Sequence, residues 1–135
     1  MDFDLTIVHH AYPKVGERVP YALKYLRLFN ALNAKLILYT VRDKVPLKEA
    51  VQFLTNQGIE LYGVNDNPQQ KTWSSSRKIY CDLYIDDAAF GCPLIKIEGH
   101  ERPVADWRII GPNVLTRLEE LNAAKQKLRK KNSTL

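Results

Sequence analysis

The chain has 135 residues, with a hydrophobic share of 45% and a charged share of 26%, ordinary values for one globular domain that buries roughly 65–70% of the surface its unfolded chain exposes. These values exclude a mostly disordered chain and a collagen-like one. The longest apolar run, in Lys35-Leu36-Ile37-Leu38-Tyr39-Thr40-Val41, falls far short of the ~18 residues of a membrane span. The net charge of +5 reflects 20 Lys+Arg against 15 Asp+Glu, and much of the excess lies in Lys125-Gln126-Lys127-Leu128-Arg129-Lys130-Lys131.

In chain order, residues 20–33 read as a first helix, since Leu23, Leu26, Phe29 and Leu32 recur at three-residue steps and Pro20 suits a first turn. Residues 35–41 read as a strand apolar on both faces. Residues 46–57 read as a second helix, with Leu47, Ala50, Val51 and Leu54 on one face and Gly58 as its stop. Residues 59–64 read as a second buried strand, and the polar stretch 65–76 as loop. Residues 82–86 form a third predicted strand and 94–97 a fourth. Residues 99–111 read as irregular, and 112–130 as a terminal helix carrying Val114, Leu118, Leu121 and Leu128. This alternation predicts an α/β, Rossmann-like single domain: a parallel sheet with helices on both faces. The domain is expected over residues 1–131, with a disordered tail at 132–135.

Asp2 and Asp4 stand at the N-terminus without a basic n-region, so no signal peptide is readable. Cys81 and Cys92 do not make a disulfide framework, and a reducing cytoplasm is the expected compartment. The basic end of the chain reads either as a contact for nucleic acid or an acidic surface, or as a solvated helix end whose cations suit the helix dipole. The absence of aromatics among its charges favours the second.

Ligands of an open parallel sheet bind beyond the C-terminal ends of its strands, and the predicted strand ends carry specific polar groups. Asp2-Phe3-Asp4-Leu5-Thr6 opens the chain, Thr40 followed by Arg42 closes one strand, and Asp86-Asp87 closes another. Strand residues two apart share a face, so Asp2 and Asp4 can enter one crevice. Two like charges ~4 Å apart repel by about 4 kcal/mol at an effective dielectric near 20. Convergent carboxylates therefore hold either a proton or a cation, and hard oxygen donors suit Mg²⁺. A carboxylate nucleophile, a second carboxyl for proton transfer, a hydroxyl donor and a cation together describe phosphoryl transfer through an aspartyl-phosphate. Taken singly, each of these residues reads more readily as a cap or strand end than as a catalyst, and it is the set in order at successive strand ends that points to chemistry.

Four motifs in order resemble the haloacid-dehalogenase (HAD) superfamily of phosphohydrolases: Asp2-Phe3-Asp4-Leu5-Thr6, Leu36-Ile37-Leu38-Tyr39-Thr40, Lys78, and Leu83-Tyr84-Ile85-Asp86-Asp87. The resemblance covers roughly the first hundred residues. It is nearest to small, partly phage-encoded members with segments like His10-Ala11-Tyr12-Pro13, Thr40-Val41-Arg42 and Ile85-Asp86-Asp87. It implies a capless HAD core whose first strand is truncated, since only Met1 precedes Asp2. It also implies Asp2 as nucleophile and Asp4 as general acid and base. Mg²⁺ would be held by Asp2, the Asp4 carbonyl and Asp87, with Asp86 in support, and the phosphoryl oxygens by Thr40 and Lys78.

Around this set, Leu5 replaces the Gly usual in the nearest relatives and would bulk up the approach to the site, and Ala88-Ala89 replaces polar residues. The Met1 amine adjoins Asp2 as a candidate ion-pair partner. Arg42 reads as a substrate-anion contact or a solvated helix-start residue. His9 and His10 lack the spacing of a zinc site, with His10 expected in an exposed loop. Cys81 reads as core, and Trp73 as a base-stacking residue or a loop anchor. The expected function is a cytoplasmic, Mg²⁺-dependent phosphomonoester phosphatase. Its substrate is a nucleotide, a sugar phosphate or a nucleic-acid end, the homo-oligomer is a further expectation, and no membrane partner is expected. The alternatives are a catalytically inactive binding or regulatory protein on the same scaffold and an electrostatic nucleic-acid binder.

Overall fold

The computed structural model describes residues 1–133. In order, the elements are α1 (Ala22–Ala31), β1 (Ile37–Leu38), α2 (Lys44–Asn56), β2 (Gly63–Val64), a 3₁₀ turn (Gln70–Thr72), β3 (Leu94–Ile95), β4 (Val104–Ala105) and α3 (Trp107–Ser133). Among the described residues, no helix is long and apolar enough to cross a membrane.

The single parallel sheet expected from the alternation of elements is not formed. Among the described residues, regular strand structure is limited to two separate two-stranded sheets, β1 with β2, parallel, and β3 with β4, antiparallel, beside single bridges of Val8 with Asp4 and Arg18. Helix is the dominant regular structure. The reason lies in the segments that would have joined the pairs. Met1 bonds on both sides of Leu38, accepting at its carbonyl from Tyr39 N–H at 2.8 Å and donating from its amine to Ile37 O at 2.8 Å, and Asp2 donates one bond the other way, to Ile85 O at 2.9 Å. These bonds tie residues 1–2 to β1 on one side and to the 82–86 segment on the other without extending into a regular ladder. The predicted third strand at 82–86 consequently lacks a paired edge, and Leu83 and Tyr84 are exposed.

The first two helices end as their sequences dictate. After α2, Gly58 takes φ 77, its N–H donates to Thr55 O, and Ile59 N–H donates to Leu54 O at 3.0 Å, the two bonds of a Schellman stop. After α1, Asn33 does the same at φ 64, with Ala34 N–H donating to Phe29 O. Pro46 is the third residue of α2, where a missing N–H costs no helical bond.

The third helix begins five residues before the predicted start at Pro112, and the stretch 99–111 is not irregular throughout: it supplies β4 and the first turn of α3. Asp106 caps that turn, its Oδ1 accepting from Arg108 N–H at 3.2 Å. Hydrogen bonds from Arg108 hold the Asp106 carboxyl below the usual carboxylate range. Pro112 lies inside the helix. The helix continues through Asn132 and Ser133, which the predicted tail included; residues 134–135 of that tail lie outside the described residues.

One core gathers these elements. Phe3, Ile7, Val8, Leu26, Phe29, Leu38, Leu54, Val104 and Trp107 are fully buried, each apolar side chain contributing about 2 kcal/mol relative to exposure. Trp107 meets Phe29 with ring centroids 6.2 Å apart, fastening α3 to α1. Gly111 permits that approach: a Cβ there would stand 2.3 Å from the Tyr25 ring. Gly111→Ala is therefore expected to destabilise the fold by about 1–3 kcal/mol through overpacking. Denaturant unfolding checks this, with Tyr25→Ala in the same chain expected to recover part of the loss by making room for the methyl.

A carboxylate cluster as the candidate functional site

The site is built on the loop that follows Asp2. Leu5 adopts φ 64, and the N–H groups of Thr6 and Ile7 turn back onto Phe3 O at 3.2 and 2.8 Å. Ala105 N–H donates to Leu5 O, tying the loop to β4. Leu5 is buried in the core and does not crowd the approach to the site. Thr6 is fully buried, and the Trp107 indole N–H donates to its carbonyl at 2.7 Å. The first residue of α3 thus fixes the loop that carries the carboxylates.

Asp2, Asp86 and Asp87 converge there, each half-buried and each offering a ligand oxygen within 4.8 Å of the others. Thr6 sits between two of them. Its hydroxyl donates to Asp2 Oδ2 at 3.1 Å or Asp87 Oδ1 at 3.2 Å, and its oxygen accepts from the Asp87 N–H at 3.1 Å. Asp86 is held by its own turn, Oδ1 accepting from Ala88 N–H at 2.9 Å. Burial, then a hydrogen bond to the Asp87 carboxyl, then the Asp86 charge, push Asp2 up to about 7 from 3.8; bonds from the Phe3 N–H and Thr6 hydroxyl pull the other way. A proton on Asp2 relieves the repulsion, and a hard divalent cation among three carboxylate oxygens would relieve it equally well.

Asp4 stands apart from this cluster. Its two oxygens accept from Arg42 Nη2 and Nε, both at 2.8 Å, a bidentate pair. Arg42 is 1% exposed. Its remaining donors reach the carbonyls of Pro13 at 3.0 Å, Lys14 at 2.8 Å and Pro46 at 3.2 Å, and its guanidinium lies between the Phe3 and Tyr12 rings at 5.0 and 5.2 Å. Arg42 is thus neither solvated nor open to a substrate anion.

Thr40 lies two residues beyond β1, outside the strand it was expected to close, with its N–H donating to Asn65 Oδ1 at 2.8 Å and its Oγ1 accepting from Arg42 N–H at 3.2 Å. Lys78 is exposed, its Nζ 5.8 Å from the Tyr84 ring. The Met1 amine donates to Ile37 O at 2.8 Å, so its hydrogen bond goes to the backbone and not to Asp2. His10 is exposed, while His9 is buried and stacks on His100 at 3.5 Å.

Three supporting residues escape a reading by motif. Thr6 stands inside the Asp-x-Asp-x-Thr pattern, whose spacing could have assigned its hydroxyl to the carboxylates. Asn65, at φ 49 just after β2, belongs to a residue type that tolerates that conformation. Trp107 has no sequence signal for its role beyond the Asp106 cap before it. Trp107→Phe keeps the ring and removes the N–H. It is expected to cost about 2 kcal/mol by leaving Thr6 O buried without a donor, read as a lower denaturant midpoint at unchanged slope.

No family model matches the chain, and no curated protein is similar to it. Among solved structures it is similar to a conserved protein from Bacteroides thetaiotaomicron, at 34% identity and a TM-score of 0.68. The match covers 86% of this chain and 87% of that one. At that identity and coverage the chain belongs to the family of the conserved Bacteroides thetaiotaomicron protein.

Proposed function

We propose that the chain is a cytoplasmic, Mg²⁺-dependent phosphomonoester phosphatase with HAD-type chemistry, working through an aspartyl-phosphate on Asp2. The observation that carries this reading is the convergence of Asp2 with Asp86 and Asp87, more than eighty residues away in sequence, around the Thr6 hydroxyl. The four motifs in order support it from the sequence.

In this reading Asp2, Asp86 and Asp87 hold Mg²⁺, which when bound neutralises the charge of the phosphoryl oxygens and keeps Asp2 ionised. The Asp2 carboxylate attacks phosphorus, forming the carboxyl–phosphorus bond as the bond to the leaving oxygen breaks. The leaving oxygen takes a proton, and a water then attacks the phosphorus of the acyl-phosphate, releasing inorganic phosphate and restoring Asp2. Asp4 is the proton donor and acceptor of the two steps. Thr6 orients the nucleophile, and Thr40 and Lys78 bind phosphoryl oxygens. The substrate is a phosphorylated small molecule or a nucleic-acid terminus.

The Arg42 fork on both Asp4 oxygens favours a second reading, a non-catalytic binding or regulatory protein in which Asp4 is only a structural anchor. Release of inorganic phosphate from an aryl phosphate, with and without Mg²⁺, separates the two. Metal-dependent turnover supports the phosphatase. A folded chain that binds Mg²⁺ but turns over neither aryl phosphates nor a panel of nucleotides and sugar phosphates supports the second.

A further inference from the structure

A groove of about 380 Å³ lies between α3 and the segment that follows β2. Its floor is apolar, including Leu36 and Ile85, while Trp73, Tyr80, Lys35 and Lys125 stand on its lining. Trp73 is 62% exposed and Tyr80 51%, unusual for side chains that gain from burial. Their rings meet edge to face at 5.7 Å and 82°, so the two indole and phenol faces present separate planes to solvent. Neither ring anchors the loop to the core, which removes the anchoring role expected for Trp73.

The chemistry around these rings is consistently cationic. From Lys71 to Tyr80 the sequence places Lys71, Arg77 and Lys78 between and beside the two aromatics with no acidic residue. None of these three cations makes a salt bridge among the described residues. Across the groove Lys125 continues into Lys127, Arg129 and Lys130 on exposed turns of α3. The one acidic residue on the lining, Asp82, accepts a hydrogen bond from the Tyr80 hydroxyl at 3.3 Å. Read along the chain, the basic end has no aromatics beside it; the fold places Lys125, where it begins, on the same groove as Trp73 and Tyr80.

We propose that this groove binds single-stranded nucleic acid, with bases stacking on Trp73 and Tyr80 and phosphates tracking the cations of the loop and of α3. Exposed aromatic faces flanked by unpaired cations are the components of a sequence-tolerant single-strand site. A duplex keeps its base faces stacked and cannot use the rings. An acidic peptide satisfies the cations but leaves the aromatic faces without a partner. The proposal does not rest on the phosphatase reading.

The test is fluorescence anisotropy of a labelled oligothymidylate of about 15 nucleotides, a length that matches single-strand site sizes. Binding is expected to fall steeply with salt and to be weaker for a duplex of equal length. Trp73→Ala is expected to weaken binding about tenfold, Trp73→Phe to keep it within about twofold, and Lys125→Glu to weaken it about tenfold. The buried Trp107 reports by its fluorescence that each variant is folded. Absence of binding by the folded wild-type chain would overturn the proposal. So would binding that Trp73→Ala leaves unchanged, or that polyglutamate displaces as well as oligothymidylate does, since either assigns the contact to charge alone.

Discussion

On the proposed phosphatase reading, Asp2→Asn is expected to abolish Mg²⁺-dependent phosphate release, by about 10³-fold or more, and, independently of that reading, to stabilise the metal-free fold above pH 7. The second effect follows from linkage. In the unfolded chain Asp2 titrates near 3.8, whereas in the fold it holds its proton up to about 7. Below about pH 4 both states carry a neutral carboxyl and Asp2 costs nothing. Between about 4 and 7 the unfolded chain ionises while the folded one does not, so stability is lost as pH rises, and above about 7 the loss is complete. The interval corresponds to an upper bound of about 4 kcal/mol, and partial solvent access at Asp2 lowers the expected figure to about 2 kcal/mol. Asparagine keeps the shape and carries no charge, so the variant should match wild type at pH 4 and exceed it at pH 8. Denaturant unfolding in a chelator, across that pH range, checks it. On the proposed reading saturating Mg²⁺ should reverse the order, because a cation that binds only the fold would stabilise wild type.

Arg42→Ala is expected to be the most destabilising single change at the site, by about 3–5 kcal/mol. It strips Asp4 of both guanidinium bonds and leaves the Pro13, Lys14 and Pro46 carbonyls without their donor, and it opens a void between the Phe3 and Tyr12 rings. Arg42→Lys retains the charge, but an ammonium has three donors and no planar fork, so it should recover less than half of the loss. Asp4→Asn should cost less than either, since the amide oxygen still accepts one arm. A substrate-binding arginine would show the opposite pattern: little change in the unfolding midpoint and a large rise in KM. Equilibrium unfolding of the three variants settles which pattern holds.

Which parts of this molecule the sequence discloses follows from the range of the interactions involved. The first two helices are legible because their signals are local: the apolar stripe of Leu23, Leu26 and Phe29, and the stops at Asn33 and Gly58, are determined within a few residues. The start of α3 is not, because Pro112 is a strong local signal for a helix beginning and outweighs the local cap at Asp106, while the fit of Gly111 against Tyr25 depends on a tertiary neighbour. The strands fail for a related reason. Apolar runs such as 35–41 announce burial, but whether a buried run pairs into a sheet is decided by its neighbours, and here pairing is regular over two residues only.

The same distinction holds for the site. Asp2, Asp86 and Asp87 are disclosed by their place beside apolar runs, and the structure gathers them. Asp4 looks equivalent to Asp2 in sequence, two residues away and next to the same apolar side chains. Its environment differs because Arg42, thirty-eight residues on, takes both its oxygens. Charge alone assigns Arg42 to a ligand or to solvent; only its complete burial among backbone carbonyls reveals an internal clamp.

The central claim is that Asp2 becomes covalently phosphorylated, and trapping that species tests it most directly. The chain is mixed with an aryl phosphate and Mg²⁺, quenched, and reduced with borohydride, which converts an aspartyl-phosphate to homoserine. Peptide mass analysis then locates the change. With Asp2 as the proposed nucleophile, homoserine is expected at position 2, dependent on Mg²⁺ and on substrate. Metal-dependent turnover with the label at Asp4, Asp86 or Asp87, or with no carboxyl modified at all, would contradict it.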